Sequence, residues 1–203
     1  FSDNESLVIA YNNYAMFLSG LEQVDKAIVY QYKAIAIALM LVWSITTYAS
    51  PNVDMLRAIE MDDEKTARTM IIKGYNINEQ TDDGVPMVSY AMTKGAVKVV
   101  RLFLMSKRLE VDQSDLKGDT PVMVASILDK PEWVAALLSK GASIKASGQW
   151  TPLHYAASSG SLKSMGFLLE AGADVNALSP NGTTPMMMAA RENKELAVKL
   201  LLN

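Results

Sequence analysis

The sequence predicts an all-α solenoid of stacked helix-turn-helix units, joined by short hairpin fingers and preceded by an N-terminal helical segment. Three observations predict it. A skeleton recurs four times: VPMVSYAMTKG at 85–95, TPVMVASILDK at 120–130, TPLHYAASSG at 151–160 and TPMMMAARENK at 184–194. Its prolines stand at 86, 121, 152 and 185, so the separations are 35, 31 and 33 residues. After 151–160, Leu162, Met165, Leu168 and Leu169 fall at helical spacing, the mark of a second helix. One such unit cannot bury its own apolar face, so neighbours must stack.

Residues 1–33 form a helical lead. The stretch AYNNYAMFLSGLEQVDKAIVYQYKAIAI at 10–37 places Ala15, Ala27 and Ala34 twelve and seven residues apart, with Tyr11, Tyr14, Leu18 and Val24 as large apolar residues. It resembles one tetratricopeptide repeat, although Gln31 takes a usually aromatic position and Glu22 a usually glycine turn. Residues 34–49, AIAIALMLVWSITTYA, carry no charge, follow Lys26 and Lys33, and run into Ala49, Ser50 and Pro51. That pattern describes a secretory signal peptide cleaved near Ala49 or Ser50, or a membrane tether through 34–49. The preceding 33 residues are longer than a signal peptide needs, which a start at Met16 or Val29 would remedy. In the competing reading, 34–50 is a buried helix of a folded lead. Both readings predict helix over much of 5–48. The first expects an exported, periplasmic or membrane-anchored protein, the second a cytoplasmic one.

From about 51 the repeats take over. In TPLHYAASSG the Thr151 hydroxyl caps the first helix, and Pro152 sits at the first helical position, where a missing N–H is no loss. Ala156 and Ala157 let neighbouring helices approach closely. Gly160 ends the helix with positive φ. Gly172 stops the second helix, and ADVNALSPNG returns as a turn with Asn181 and Gly182 at its tip. The motif and its period resemble the ankyrin repeat. Five units are expected over 51–203: about 52–80, 81–114, 115–146, 147–177 and a partial 178–203. The first lacks the TP entry, but its KGYNINE echoes AGADVNA. Val85 stands where Thr should cap, so that helix start is weaker. Asp129 and Asn193 replace the helix-ending Gly. The fourth finger is shortened, with Thr151 seven positions after Ile144 against nine from Val175 to Thr184. The chain starts at Phe1 and ends on an apolar helix, so it is expected to be a fragment of a longer protein.

Composition narrows function. The net charge is −3, and no basic field exists to attract nucleic acid. Cysteine is absent and His154 is the only histidine, which excludes thiol catalysis and His-rich zinc sites. No phosphate loop, dinucleotide fingerprint or calcium loop appears. His154 is the His of TPLH, expected in a hydrogen-bond network tying one repeat's turn to the next rather than acting as a general base. No cofactor, no metal and no catalytic residue is expected. The thirteen methionines are read as gap-filling core residues. Trp133, in PEWVAALL, takes a core position of a second helix.

What remains is binding of another protein by a monomeric module. The resemblance is to exported bacterial ankyrin-repeat proteins, and it implies a partner on the concave face made by finger tips and first-helix ends. The matching positions are Met92 and Thr93 in repeat two, then Leu116, Lys117, Asp119, Ile127 and Leu128 in repeat three. In repeat four they are Trp150, Ser158 and Ser159, and in repeat five Asn181, Thr183, Arg191 and Glu192. Leu116, Ile127, Leu128 and Trp150 are apolar where such positions are commonly polar. Trp150 is either a contact recessed beside the repeat-three tip or a shield packed over its own turn. Carboxylates at 82, 83, 112, 115 and 119 serve local turns, or form an acidic edge that draws basic partners. The alternative function is a scaffold segment of a larger cytosolic protein combining tetratricopeptide-like and ankyrin-like arrays.

Overall fold

The computed structural model describes residues 2–19, 24–47, 51–145 and 150–202. It divides into two compact units, 1–51 and 52–203. The first holds helices α1 (Ser2–Ser19) and α2 (Val24–Thr47), packed against each other. Ala15 and Ala34 are buried, and the Tyr30 ring stacks on Tyr11 at 5.6 Å and meets the Tyr14 ring edge-on at 4.9 Å. Small residues on each helix thus bring the backbones together, and tyrosines close the flank. Helix is present over most of 5–48, as both readings of the lead require. The expected cleavage point at 49–50 and the side chain of Ala27 lie outside the described residues. Among those residues no helix is long and apolar enough to cross a membrane.

The second unit stacks helix pairs. These are α3 (Pro51–Glu60) with α4 (Glu64–Ile72), α5 (Met87–Thr93) with α6 (Val97–Met105), and α7 (Pro121–Ile127) with α8 (Pro131–Ser139). Then follow α9 (Pro152–Ser159) with α10 (Leu162–Glu170), and α11 (Pro185–Arg191) with α12 (Glu195–Leu202). The inner helices α5, α7, α9 and α11 pack in sequence, and α8, α10 and α12 pack behind them. Val88, Ala91, Val122, Ala125, Leu153, Ala156, Ala157 and Ala189 are wholly buried along the inner row; Phe103, Leu137, Met165 and Leu168 fill the space behind. Trp133 is in this core, as expected. Truncating any one of the large residues would cost about 2–5 kcal/mol.

Helix boundaries follow the capping chemistry. Thr151 and Thr184 bond the third amide of their helices, from His154 and Met187, and Pro152 and Pro185 open those helices. The expected cap position at Val85 is corrected: the N-cap of α5 is Pro86, which has no side chain to bond and stands where Thr120 and Thr184 stand, while Val85 matches Asp119 and Thr183, whose carbonyls close the finger turns. Between inner and outer helices one residue always takes positive φ: Asp62 (48°), Gly95 (69°), Asp129 (51°), Gly160 (77°) and Asn193 (54°). Asp129 and Asn193 therefore do occupy the glycine position, and Asp62 supplies it in the first repeat.

The fingers are tight turns rather than paired strands. Thr81 N–H donates to Val85 C=O at 2.9 Å, Asp115 N–H to Asp119 C=O at 3.0 Å and Ser179 N–H to Thr183 C=O at 3.0 Å. A single bridge, Gln80 to Pro86, is the strand-like pairing found among the described residues. Each finger needs only one reversal, so side-chain bonds across repeats hold it instead of a ladder. Asn78 donates to Arg108 C=O (2.8 Å), accepts from Glu110 N–H (2.9 Å) and offers its carbonyl to Gln113 (2.9 Å). Asp112 accepts from Ser143 N–H at 2.8 Å in the same way. The tip of the shortened fourth finger, 146–149, lies outside the described residues.

Candidate partner-binding face

Three finger tips and the inner-helix ends beside them define the candidate face. Gly84 and Gly118 turn the second and third tips with φ of 74° and 87°. Leu116 projects from the third tip, 86% exposed, and leans over Gly84: a Cβ there would sit 2.8 Å from Leu116 Cγ. Lys117 is exposed beside it, its amide bonded to the Asp115 carboxylate at 2.8 Å.

Between the second and third fingers lies a cleft of about 540 Å³. Thr81, Asp82, Asp83 and Val85 line it from one finger, Asp115 and Asp119 from the next. Ser89, Tyr90, Thr93, Val124, Ile127 and Leu128 line it from α5 and α7, and Leu56 from α3. Ile127 is exposed, while Leu128 is half-buried against the core. The cleft is acidic at its rim and apolar on its α7 side, and no Lys or Arg lines it. Asp115 is spent on its own turn, accepting from Lys117 and Asp119 amides. Asp119 receives the Tyr155 hydroxyl. That carboxylate and, more strongly, burial push the phenol well above its ordinary range.

The Tyr155 bond joins the cleft to a second, apolar hollow of about 160 Å³ lined by Trp150, His154, Tyr155 and Met188. Trp150 is half-buried and meets the His154 ring edge-on at 5.3 Å. It lines that hollow together with Met188 of α11, in the next repeat. His154 is wholly buried. Its Nε2 lies 2.9 Å from Thr183 C=O, and its Nδ1 lies 3.2 Å from Thr151 N–H and 2.8 Å from the Thr151 hydroxyl. A carbonyl only accepts and an amide N–H only donates, so the ring is neutral with its proton on Nε2. Burial holds its pKa below the ordinary value, outweighing the opposite pull of the Thr183 and Ala177 carbonyls. Buried, neutral and fully bonded, it is a tie between repeats, as the sequence reading expects.

The other nominated positions divide. Asn181, Arg191, Glu192 and Thr93 are exposed. Thr183 and Ser158 are half-buried, and Ser159 donates to Ser126 C=O at 2.9 Å, tying α9 to α7. Met92 is a correction: it is 1% exposed and belongs to the core, so it is no contact residue. Counted back from the positive-φ residues Gly95, Asp129 and Gly160, Met92 is equivalent to Ser126 and Ala157, which are buried too. Sequence reasoning missed Ser89. It is 1% exposed, it lines the acidic cleft, and its hydroxyl has no hydrogen-bond partner. No sequence signal marks an unsatisfied hydroxyl. Among the described residues no group of three His, Asp or Glu could hold a metal ion.

A family model described as ankyrin repeats (3 copies) matches residues 55–148, 107–179 and 145–203. The chain belongs to the ankyrin-repeat family. Ankyrin repeats generally mediate protein–protein interaction and are generally not enzymes. The chain is similar to transient receptor potential cation channel subfamily A member 1 of Drosophila melanogaster, 31% identical over 62% of this chain and 11% of the relative. It is similar to human ankyrin repeat and SOCS box protein 3, at 34% over 55% of this chain and 22% of the relative. Human palmitoyltransferase ZDHHC13 matches at 33% over 45% of this chain and 15% of the relative. The chain thus spans less than a quarter of the length of each of these relatives.

Proposed function

We propose that this ankyrin array is a protein–protein interaction module that docks its partner on the finger face of repeats two to four. One observation carries the reading. Leu116 stands 86% exposed on a finger tip, and Ile127, 41% exposed, lines the cleft below the same finger. Beyond its approach to Gly84, an aliphatic side chain so placed gains further apolar contact from a second molecule, and such exposed anchors are typical of binding hot spots. Lys117 and Asp119 flank the anchors with charge, and Trp150 and Tyr155 extend the face toward repeat five with Asn181 and Thr183 beyond.

A photo-crosslinking amino acid introduced singly at Leu116, Ile127, Ile72 or Met105 tests this in cells. Ile72 and Met105 end the outer helices α4 and α6 and are 78% and 71% exposed. Adducts with another polypeptide from Leu116 and Ile127, and not from the outer-helix positions, support the finger face. Adducts of equal yield from all four, or only from the outer helices, sink it.

The packed α1–α2 pair, with Ala15 and Ala34 buried, favours a second reading in which the chain is a scaffold segment and 34–47 is folded helix. Recovery of residues 1–50 intact in soluble cytoplasmic protein supports that reading. A product starting near Ser50 in an exported fraction supports the signal-peptide reading instead.

A further inference from the structure

We infer that the cleft between the second and third fingers receives a cationic side chain, arginine or lysine, from an extended segment of the partner protein. The inference rests on the docking face proposed above and gives that face a chemistry. Four carboxylates line the cleft and no basic residue of this chain does. Asp82 and Asp83 are exposed and make no hydrogen bond or ion pair, so their charge is uncompensated within the fold. The acidic cluster is not the whole observation. Ser89 is buried at the cleft's α5 wall with an unpartnered hydroxyl, an acceptor that an ammonium or guanidinium N–H would satisfy once the side chain turns into the cleft. Leaving a buried polar atom unpaired is costly, which points to a bound state that pairs it.

The rest of the wall fits the stem of such a side chain. Val124, Ile127 and Leu128 offer apolar surface beside the carboxylates, and long cationic side chains bury their methylenes while the head stays polar. The ring of Tyr90 is already used by a cation: Lys94 Nζ lies 5.1 Å from its centroid, and its hydroxyl donates to Glu60 at 3.0 Å. A metal ion does not suit the cleft, because no three of these carboxylates come together. An organic cation, spread over several oxygens, does.

The test is amide NMR of the full chain titrated with acetyl-Gly-Arg-Gly-amide, against acetyl-Gly-Glu-Gly-amide and spermidine as controls. The expected result is saturable shifts confined to residues 81–84, 89–93 and 115–128. The Arg peptide should bind about fivefold more weakly to Asp82→Asn/Asp83→Asn, two exposed changes that leave the fold intact. Ser89→Ala should weaken it too, with no loss of stability. Three outcomes overturn the inference: equal shifts from the Glu peptide, unchanged binding to the double variant, or shifts scattered over the acidic surface. Spermidine binding as well as the peptide assigns the cleft to small polycations, not a partner segment, and also overturns it. A protein that crosslinks to Leu116 but ignores the double variant removes this inference while leaving the docking face standing.

Discussion

The Nε2 of His154 lies 2.9 Å from the carbonyl oxygen of Thr183, so one imidazole joins the start of α9 to the finger that follows it. Only the neutral ring can do this while Nδ1 accepts from Thr151. Burial depresses the folded-state pKa below 6.5, so as pH falls the unfolded chain takes up its proton first. The stabilising contribution is present above pH 6.5 and declines below it, toward the folded pKa. Urea midpoints at pH 7.5 and 5.5 should therefore fall with pH in the parent. In His154→Met, which copies Met123 and Met187 of the neighbouring repeats, that fall should vanish. The variant should also lose about 1 kcal/mol at pH 7.5, because the bond from Nε2 to the Thr183 carbonyl is lost while that carbonyl keeps the Ser179 amide. A parent midpoint that does not change between the two pH values would refute the assignment.

Ser89 and Thr120 are buried hydroxyls without partners. At Thr120 the N–H donates to Met123 Sδ at 3.4 Å, while the hydroxyl has no partner. Removing such a hydroxyl takes away an unmet desolvation cost. Ser89→Ala and Thr120→Val should each raise stability by about 1 kcal/mol. By contrast Thr184→Ala, which deletes a working cap, should lower it by about 1 kcal/mol. Denaturant melts of the three variants read the signs directly; a destabilised Ser89→Ala would mean that its hydroxyl is satisfied after all.

How far these features were legible differs by residue. Thr151, Pro152 and Gly160 could be placed from the sequence because each acts within its own helix, through capping and φ alone. Val85 was misplaced, because aligning on the proline of VPMV shifts repeat two by one residue, whereas the turn at Gly84 puts Pro86 at the cap. Met92 was not legible, because the same shift hides its equivalence to the buried Ser126 and Ala157. The acidic edge was visible as spacing, but its enclosure with Ser89, Ile127 and Leu128 arises only when α5 and α7 pack. Trp150 could be nominated, yet the hollow it lines takes Met188 from another repeat.

Leu116 and Gly84 give a prediction that separates stability from binding. Gly84 has φ of 74°, and an added Cβ meets Leu116 Cγ at 2.8 Å. The Leu116 side chain is exposed and can swing away, so backbone strain is the main penalty. Gly84→Ala should cost about 1–2 kcal/mol. Leu116→Ser should stay within about 0.5 kcal/mol of the parent and yet weaken partner binding. If Leu116→Ser melts early, its contact with the second finger is structural, and its claim as an anchor fails.

Asp62 caps a helix of the next repeat. Its carboxylate accepts the amides of Lys98 at 2.9 Å and Val99 at 3.1 Å, where Ala96 gives α6 no cap of its own. The same residue holds φ of 48°. Two demands on one side chain predict an order. Asp62→Asn keeps both the acceptor and the left-handed tolerance and should melt near the parent. Asp62→Gly keeps only the backbone freedom and should lose about 1 kcal/mol. Asp62→Ala keeps neither and should lose about 2 kcal/mol or more. An Ala variant as stable as Gly would show that the backbone carries no strain there.

Trp150 is the position where packing and binding compete. Its ring meets His154 edge-on at 5.3 Å and closes the hollow over Met188, so part of it is structural. An edge-to-face aromatic pair adds about 0.5–1.5 kcal/mol beyond the area it buries. Trp150→Ala should therefore lower stability measurably as well as weaken partner binding, whereas Trp150→Phe should restore most of the stability by keeping a ring against His154. If the Phe variant regains its melting point but not its affinity, the part of the indole that phenylalanine lacks is the contact. If it regains both, Trp150 acts on the partner only by holding the His154 tie and the α9–α11 junction in place. An Ala variant with unchanged stability would remove the packing role and leave Trp150 as a binding residue alone.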